Sequence, residues 1–363
     1  MEKTMEQLKQ MTPETYILMD IRGEAAYSNG FIPGAVLFPE RGDLPRDKEI
    51  ILYCKRGTVS AELARELRDE GYRACSLVGG YLAWLMGRIQ AGDQTERIEL
   101  SLRKKFHKTI FSKFTKAIST YQLVEPGDKI AVCISGGKDS MLLAKLFQEL
   151  VRHRKFPFEL VFLVMDPGYA PENRVLIEEN AERMGIPVTI FETDIFEQVF
   201  TAPKNACYLC ARMRRGHLYS KAQALGCNKI ALGHHYDDVI ETILMSMLHG
   251  AQIQTMMPKL HSTNFDGMQL IRPLYLVREG DIKRFRDYHD LHFLQCACRF
   301  TDTCSTDGSM VSKRTEVKAL IRRLKETNPY VESNIFGSME NVHLDAVIAY
   351  KKDGEKVHFL DDF

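Results

Sequence analysis

The hexapeptide Ser135-Gly136-Gly137-Lys138-Asp139-Ser140 constrains this chain more than any other stretch. It follows residues 129–134, a short apolar run of strand length, and precedes residues 141–147, a run of helix formers. A glycine-rich turn between strand and helix makes an anion cradle. The two glycines let the backbone approach closely, and the unpaired N–H groups of the first helical turn face the anion. Lys138 adds positive charge, and Asp139 can hold a magnesium ion bridging phosphate oxygens. For Ser-Gly-Gly alone, an ordinary strand-to-helix turn would be the competing reading.

The spacing differs from G-x-x-x-x-G-K-S/T, so the Walker loop is excluded. Ser135 to Ser140 resembles instead the PP-loop of the ATP pyrophosphatase superfamily. That resemblance implies cleavage of ATP between its α- and β-phosphates, with adenylation of a substrate oxygen.

At 363 residues the chain is long enough for two or three domains with cores of their own. No apolar run reaches the length of a membrane span, and the polar, acidic start Met1 to Glu6 is unlike a signal peptide. A cytoplasmic protein with no membrane partner is the expectation. Nine cysteines in such a protein point to metal, cluster or thiol chemistry rather than disulfides. Net charge is +1 and names no partner by itself. Residues 1–95 carry 12 basic and 14 acidic side chains and the remainder 37 and 34, which places any polyanion on the second part.

Residues 1–90 read as a small α/β domain. Residues 16–20 and 50–53 are strand candidates, and 61–67 form an amphipathic helix. Between the second strand and that helix lies Cys54-Lys55-Arg56-Gly57-Thr58-Val59-Ser60. A cysteine at a strand end, before a helix N-terminus and beside Lys55 and Arg56, is expected to ionise readily, with the loop N–H groups cupping the anionic sulfur. The segment resembles the rhodanese family. Asp20-Ile21-Arg22 matches its D-x-R strand end, and Phe31-Ile32-Pro33-Gly34-Ala35 its H-I-P-G-A turn, with Phe31 in place of His. Residues 54–60 match the active loop C-x-x-G-x-x-S. Gly71-Tyr72 and the stretch Leu77 to Trp84 match the closing G-Y and L-x-G-G-x-x-x-W. The resemblance implies a persulfide on Cys54. An inactive docking module is the other reading, and the intact loop argues against it.

The polar stretch 87–94 carries two glycines, and a domain boundary is expected there, with residues 91–121 as linker and lead-in helix. Leu102, Phe106, Ile110, Phe114 and Ile118 recur every four residues through that helix. Its lysines, Lys104, Lys105, Lys108, Lys113 and Lys116, fit a solvated face or a tRNA contact.

Residues 122–363 read as a second domain. Strand candidates at 158–166, 187–191 and 229–233 alternate with helical stretches, which makes a parallel sheet with helices on both faces. Ligands on such sheets bind at the carboxyl ends of the strands, so Ser135, Met165, Asp166 and Gly233 can line one crevice, with Met165 and Asp166 framing an adenine. Gly233-His234-His235-Tyr236-Asp237-Asp238 opens the next helix; its carboxylates can bind magnesium, or Asp237 can cap the helix. Cys207-Tyr208-Leu209-Cys210 has downstream partners in Cys296-Ala297-Cys298 and Cys304. A redox pair, a zinc site or an iron–sulfur cluster are all consistent with a lone C-x-x-C; the distant thiols suit zinc or a cluster.

From about Lys104 onward the chain resembles the tRNA-cytidine 2-sulfurtransferases. The residues that carry this are Gly127-Asp128, Ser135 to Ser140, Cys207 to Gly216, Lys229 to His235, Pro258-Lys259-Leu260, Ile271-Arg272-Pro273-Leu274 and Asn341-Val342. The resemblance implies formation of 2-thiocytidine with ATP, Mg2+ and a 4Fe–4S cluster held by three cysteines. Cys207 and Cys210 are the first two, and Cys298, with Cys296 as its alternative, is the third. Cys304 fits a relay or an uninvolved thiol. Two departures from the family pattern, the tight Cys296-Ala297-Cys298 and Gln254 to Pro258, leave the identity of the substrate open.

The expected reaction is adenylation of the base on Ser135, Gly136, Gly137, Lys138, Asp139 and Ser140, with Gly233 and His234 completing the nucleotide site and Asp238 assisting the metal. Sulfur from Cys54 follows, supplied by thiosulfate or a cysteine desulfurase persulfide. Arg212, Arg214, Arg215, Lys313, Arg314, Arg322 and Arg323 are candidate phosphate contacts for tRNA. The same chemistry on another tRNA base or on a small molecule is one alternative; an amide-forming PP-loop ligase with a structural zinc is another. The oligomeric state stays open between monomer and homodimer.

Overall fold

Ile50, Ile51, Leu52 and Tyr53 are all fully buried, a pattern that requires a central strand covered on both faces. The computed structural model describes residues 2–28, 30–39, 43–200, 206–294 and 313–361, without the side chains of 88–93, 200 and 206–208. It divides into two compact units, residues 1–96 and 97–363.

The first unit contains β1 (Glu2–Lys3), α1 (Met5–Lys9), β2 (Tyr16–Asp20), α2 (Glu24–Ser28), β3 (Val36–Leu37), β4 (Glu49–Tyr53), α3 (Thr58–Asp69), β5 (Ala74–Leu77) and the start of α4 (Gly80–Arg103). Its sheet has the order β1-β5-β4-β2-β3 and every pairing is parallel. Alternate residues of β4 feed opposite cores. Ile51 and Tyr53 pack with Leu8, Leu18 and Leu77, whereas Ile50 and Leu52 pack with Ala64 and Leu67 of α3.

The second unit contains α5 (Ser112–Thr120), β6 (Lys129–Ile134), α6 (Lys138–Arg152), β7 (Glu159–Asp166), α7 (Pro171–Arg183), β8 (Val188–Glu192), α8 (Ile195–Phe200), α9 (Ala206–Ala224), β9 (Lys229–Ala231), α10 (Tyr236–Gly250), β10 (Lys259–His261), β11 (Gln269–Ile271), α11 (Glu279–Tyr288), α12 (Lys313–Thr327), α13 (Val331–Gly337), and the hairpin β12 (Ala349–Lys352) and β13 (Glu355–His358). The main sheet runs β10-β11-β9-β6-β7-β8, parallel except for the edge pair β10–β11. From β6 the chain steps outward through β7 to β8, then returns to the other side of β6 as β9. The strand order therefore reverses between β6 and β9, and a crevice opens at their carboxyl ends.

Two expectations need correction. The stretch 87–94 lies within α4, and the division between units falls at Glu96 and Arg97, inside that helix. Glycine in a helix costs about 1 kcal/mol and does not forbid it, so the glycine signal was outweighed by its neighbours. The lead-in helix is not continuous: after α4 come a turn, a π-helical segment at His107–Phe111, and α5. Four-residue spacing drifts around a regular α-helix, and the wider π turn takes up that drift. Leu102, Phe106, Ile110 and Phe114 are consequently all buried.

Candidate active sites

In the first unit β4 delivers Cys54 to the mouth of a cavity of about 710 Å³, lined also by Arg22, Lys55, Arg56, Thr58, Val59 and Tyr81. The loop is tied down by backbone bonds from Tyr81 N–H to the Cys54 carbonyl (2.9 Å) and from Leu82 N–H to the Lys55 carbonyl (3.0 Å). Gly80 makes this possible: its φ is +56°, and a Cβ there would run into the Cys54 carbonyl oxygen and lie 2.8 Å from Gly57 N. Gly57 N–H donates to Cys54 Sγ at 3.1 Å and Ser60 Oγ lies 3.5 Å from it. Burial pushes the thiol up, but the Ser60 hydroxyl and the N–H groups of Ser60, Arg56 and Gly57 outweigh it, and Cys54 ionises below its ordinary value. The expected direction is met through the loop N–H groups that were expected to cup the sulfur, joined by the Ser60 hydroxyl, and not through the Lys55 and Arg56 charges. Arg22 makes a bidentate pair with buried Asp20 (2.9 and 2.6 Å), donates to the Gly30 carbonyl (2.6 Å) and lies 3.7 Å over the Tyr81 ring. Phe31 stacks on Tyr27 at 4.4 Å.

In the second unit the crevice holds a cavity of about 520 Å³. Cys133 and Ser135 come from the end of β6, Gly137, Asp139 and Ser140 from the start of α6, Met165 from β7, and Gly233, His234 and Asp238 from the loop after β9 and the start of α10. Cys210, Arg214 and Arg215 of α9 line the same cavity. Gly137 caps α6, so the helix N-terminus faces this space. Ser140 is buried and braces the loop: its Oγ donates to the Gly137 carbonyl (2.9 Å) and accepts from Ser135 N–H (3.1 Å). A Cβ on Gly136 would strike Ile177 and Leu294. Lys138 Nζ bridges Asp139 Oδ2 (2.9 Å) and Glu279 Oε1 (3.3 Å). Asp139 Oδ1 is buried with no hydrogen-bond partner among the described residues.

Asp238 is committed elsewhere. Its Oδ2 accepts from His235 N–H (3.0 Å) in a capping box, and its Oδ1 accepts from Arg314 Nη2 (2.9 Å). His235, not Asp237, caps α10; Asp237 lies inside the first turn and its carboxylate pairs with Arg278 (3.0 Å) and Glu279 N–H (2.7 Å). Asp166 does not frame a base either, since it accepts from the N–H groups of Gly168 and Tyr169 and from Arg174. Arg272, whose role the sequence did not disclose, donates from Nε to His234 Nδ1 at 3.3 Å. Burial first, then the Arg272 charge, pushes His234 down to about 4, so its ring is neutral near pH 7.

The PP-loop domain profile matches residues 104–298. The tRNA-cytidine(32) 2-sulfurtransferase of Alkalilimnicola ehrlichii is 36% identical over 245 residues, 66% of this chain and 74% of that one. Its namesake from Burkholderia ambifaria is 35% identical over 260 residues, 70% of this chain and 74% of that one. This chain belongs to the tRNA-cytidine 2-sulfurtransferase family. The U34-tRNA thiolase NcsA of Methanococcus maripaludis, solved with its 4Fe-4S cluster, shares the fold, with a TM-score of 0.50 at 22% identity over 63% of this chain and 76% of that one. Residues 4–86 match the rhodanese-like domain, so this member of the 2-sulfurtransferase family carries a rhodanese domain ahead of its PP-loop domain.

Of the cysteines that the family resemblance singles out, Cys210 is buried on the cavity wall, in α9. The side chain of Cys207 and all of Cys296, Cys298 and Cys304 lie outside the described residues. Within the described residues no three His, Cys, Asp or Glu side chains gather as a metal site. Cys54, Cys75, Cys133, Cys210 and Cys227 are buried thiols without disulfides. Cys133 also lines the cavity, but burial pushes it up to about 12, which leaves it un-ionised at neutral pH. Arg212 and Arg215 are exposed, while Arg214 reaches Tyr169 Oη at 3.3 Å. Lys313, Arg322 and Arg323 are exposed on α12, whereas Arg314 is drawn inward to Asp238 and Glu241. No helix of the described residues is long and apolar enough to cross a membrane.

Proposed function

We propose that this protein is a cytoplasmic, ATP-dependent tRNA sulfurtransferase that forms 2-thiocytidine, with its own rhodanese domain supplying the sulfur. The observation that carries the reading is the single cavity in which the PP-loop, His234 and the C-x-x-C helix meet. Family membership and the names of the relatives support tRNA cytidine as the substrate.

Gly137 and the first turn of α6 bind phosphate through backbone N–H groups, and Lys138 supplies charge. Asp139 Oδ1, buried without a hydrogen bond and 3.9 Å from His235 Nε2, fits a divalent cation, which would be Mg2+ and would neutralise phosphate charge. Asp238, with one oxygen on Arg314 and the other on its own cap, positions the α10 terminus at the cavity wall. The base oxygen at C2 attacks the α-phosphorus of ATP and pyrophosphate leaves, which turns a poor leaving group into AMP. His234, neutral and accepting at Nδ1, keeps its proton on Nε2 as a donor.

Cys210, buried on the cavity wall, fits a cluster ligand; with Cys207 and Cys298 or Cys296 it would hold a 4Fe–4S cluster, which supplies an iron coordination site for sulfur when bound. In the rhodanese unit the Cys54 thiolate attacks the outer sulfur of thiosulfate, the old sulfur–sulfur bond breaks, and sulfite leaves with its electron pair. That sulfur then displaces AMP at C2, and opening the persulfide bond takes two electrons from an external thiol. The exposed Arg212 and Arg215, with Lys313 on α12, provide charge for RNA phosphates.

The test is nucleoside mass spectrometry of total tRNA from a strain with and without the gene. Loss of 2-thiocytidine on deletion and its return on complementation are expected; unchanged 2-thiocytidine would contradict the reading.

A further inference from the structure

Ser76 is a serine in an apolar place. Its neighbours on β5, Ala74, Cys75 and Leu77, are buried and apolar, and Ser76 itself is 1% exposed. On a strand it shares a side with Ala74, which packs on Ala64 and Leu67 of α3. A hydroxyl on such a face costs free energy unless it is hydrogen-bonded, and its partners here all belong to the Cys54 loop and the helix after it. Ser76 Oγ lies 2.8 Å from Ser60 Oγ and 3.2 Å from the Gly57 carbonyl oxygen. Ser60 Oγ in turn lies 3.1 Å from that same carbonyl and 3.5 Å from Cys54 Sγ.

Each hydroxyl has one proton, and the two protons face four acceptors: the two hydroxyl oxygens, the Gly57 carbonyl and the Cys54 sulfur. The Gly57 carbonyl is the nearer competitor for the Ser60 proton, and it already accepts from Ala61 N–H at 3.1 Å. Alone, Ser60 would satisfy the carbonyl at the expense of the sulfur. A second hydroxyl at 2.8 Å changes that balance: when it donates to Ser60 Oγ it fills the acceptor side of Ser60 and polarises the remaining O–H outward.

We propose that Ser76 is a positioning residue for sulfur transfer: it donates to Ser60 Oγ and holds the Ser60 proton on the Cys54 sulfur, so that a relay from β5 stabilises the anionic thiolate. When Cys54 carries a proton, Ser60 turns back to the Gly57 carbonyl. When the proton leaves to solvent, Ser60 turns to the sulfur, and no bond other than S–H breaks. The charged or titratable groups on the cavity around Cys54 are Arg22, already paired with Asp20, the exposed Lys55 and Arg56, and Tyr81. Arg56 reaches the sulfur through its backbone N–H, and none of these side chains hydrogen-bonds Ser60 or Ser76 among the described residues. The lowered pKa of Cys54 agrees with the relay, with Ser60 as the leading favourable contribution against burial.

The inference rests on Cys54 being the sulfur carrier, but its test does not use sulfur transfer. The full-length protein is alkylated with iodoacetamide across a pH series, and the Cys54 peptide is quantified by mass spectrometry. Ser76→Ala is expected to move the alkylation midpoint up and to slow the reaction at pH 7 by about threefold to tenfold, the worth of one ordinary hydrogen bond between neutral groups. Ser76→Thr, which keeps the hydroxyl, restores the wild-type midpoint. In a Ser60→Ala background Ser76→Ala adds nothing, because the relay acts only through Ser60. An unmoved midpoint in Ser76→Ala, or a full further shift in the Ser60→Ala background, overturns the proposal.

Discussion

Gly233 sits where the end of β9 meets the first turn of α6. A Cβ there would lie 3.0 Å from Ser140 N and 3.1 Å from the Asp139 carbonyl carbon, both of them backbone atoms of the phosphate loop. Gly233→Ala is therefore expected to push the loop from the crevice, costing about 1–3 kcal/mol in stability and weakening ATP binding, as thermal unfolding and calorimetric titration would show. Wild-type values for both would mean that the two segments can separate without penalty. The same position shows what the sequence discloses at this scale. Gly233 and His234 were legible because they follow a strand and precede a helix. Arg272, which hydrogen-bonds the His234 ring, lies in the Ile271-Arg272-Pro273-Leu274 motif, and nothing in that motif discloses the contact. It comes from the end of β11, and the neighbours a parallel strand takes across a sheet leave no mark in local spacing. Ser60 was legible in its loop, whereas Ser76, on the next strand, was not.

At the scale of elements, periodicity located the strands and helices around both sites to within a few residues, because buried central strands and amphipathic helices are written in their own sequences. It failed where two local signals competed. The glycines at 87 and 92 promised a break that α4 does not make, and the even spacing through residues 102–118 hid a π turn. That region also carries a pH response. His289, at the C-cap of α11, lies 2.7 Å from Ser101 Oγ on α4, and burial together with Lys105 pushes it down to about 4. His289 and His234 both stay neutral in the folded chain but protonate near their ordinary value of 6.5 when it unfolds. The unfolded state thus binds more protons across this interval. The contribution of these two groups to stability is constant above pH 6.5 and falls as the pH is lowered from 6.5 towards 4. Melting temperatures measured across that range are expected to fall with pH, and less steeply in His289→Gln. An equal slope in the variant would remove His289 from the account.

For the whole molecule, two motifs separated in sequence announced two domains, and the two units bear this out as α/β folds with parallel sheets. The thiols downstream of Cys210 were visible as partners for the C-x-x-C, but their role as cluster ligands came only from resemblance, and they lie outside the described residues. Because Cys54 and the PP-loop belong to different units, their chemistries are separable. Cys54→Ser should abolish sulfur transfer from thiosulfate to cyanide, at least a hundredfold loss on the order expected for a lost nucleophile, while ATP binding is retained. Asp139→Asn should do the reverse, with full thiosulfate turnover and no ATP-dependent pyrophosphate release. A loss of both activities in either single variant would contradict this division of labour.

The central claim joins these halves: sulfur taken up at Cys54 ends on a tRNA cytidine activated in the PP-loop cavity. The direct measurement uses the anaerobically prepared full-length protein, unthiolated tRNA, ATP, a thiol reductant and thiosulfate labelled isotopically in its outer sulfur, followed by mass spectrometry of the digested nucleosides. The account predicts labelled 2-thiocytidine with the wild type, dependent on ATP, and none with Cys54→Ser or Asp139→Asn. Labelled 2-thiocytidine from Cys54→Ser at the wild-type level, or label in a different nucleoside, would contradict it.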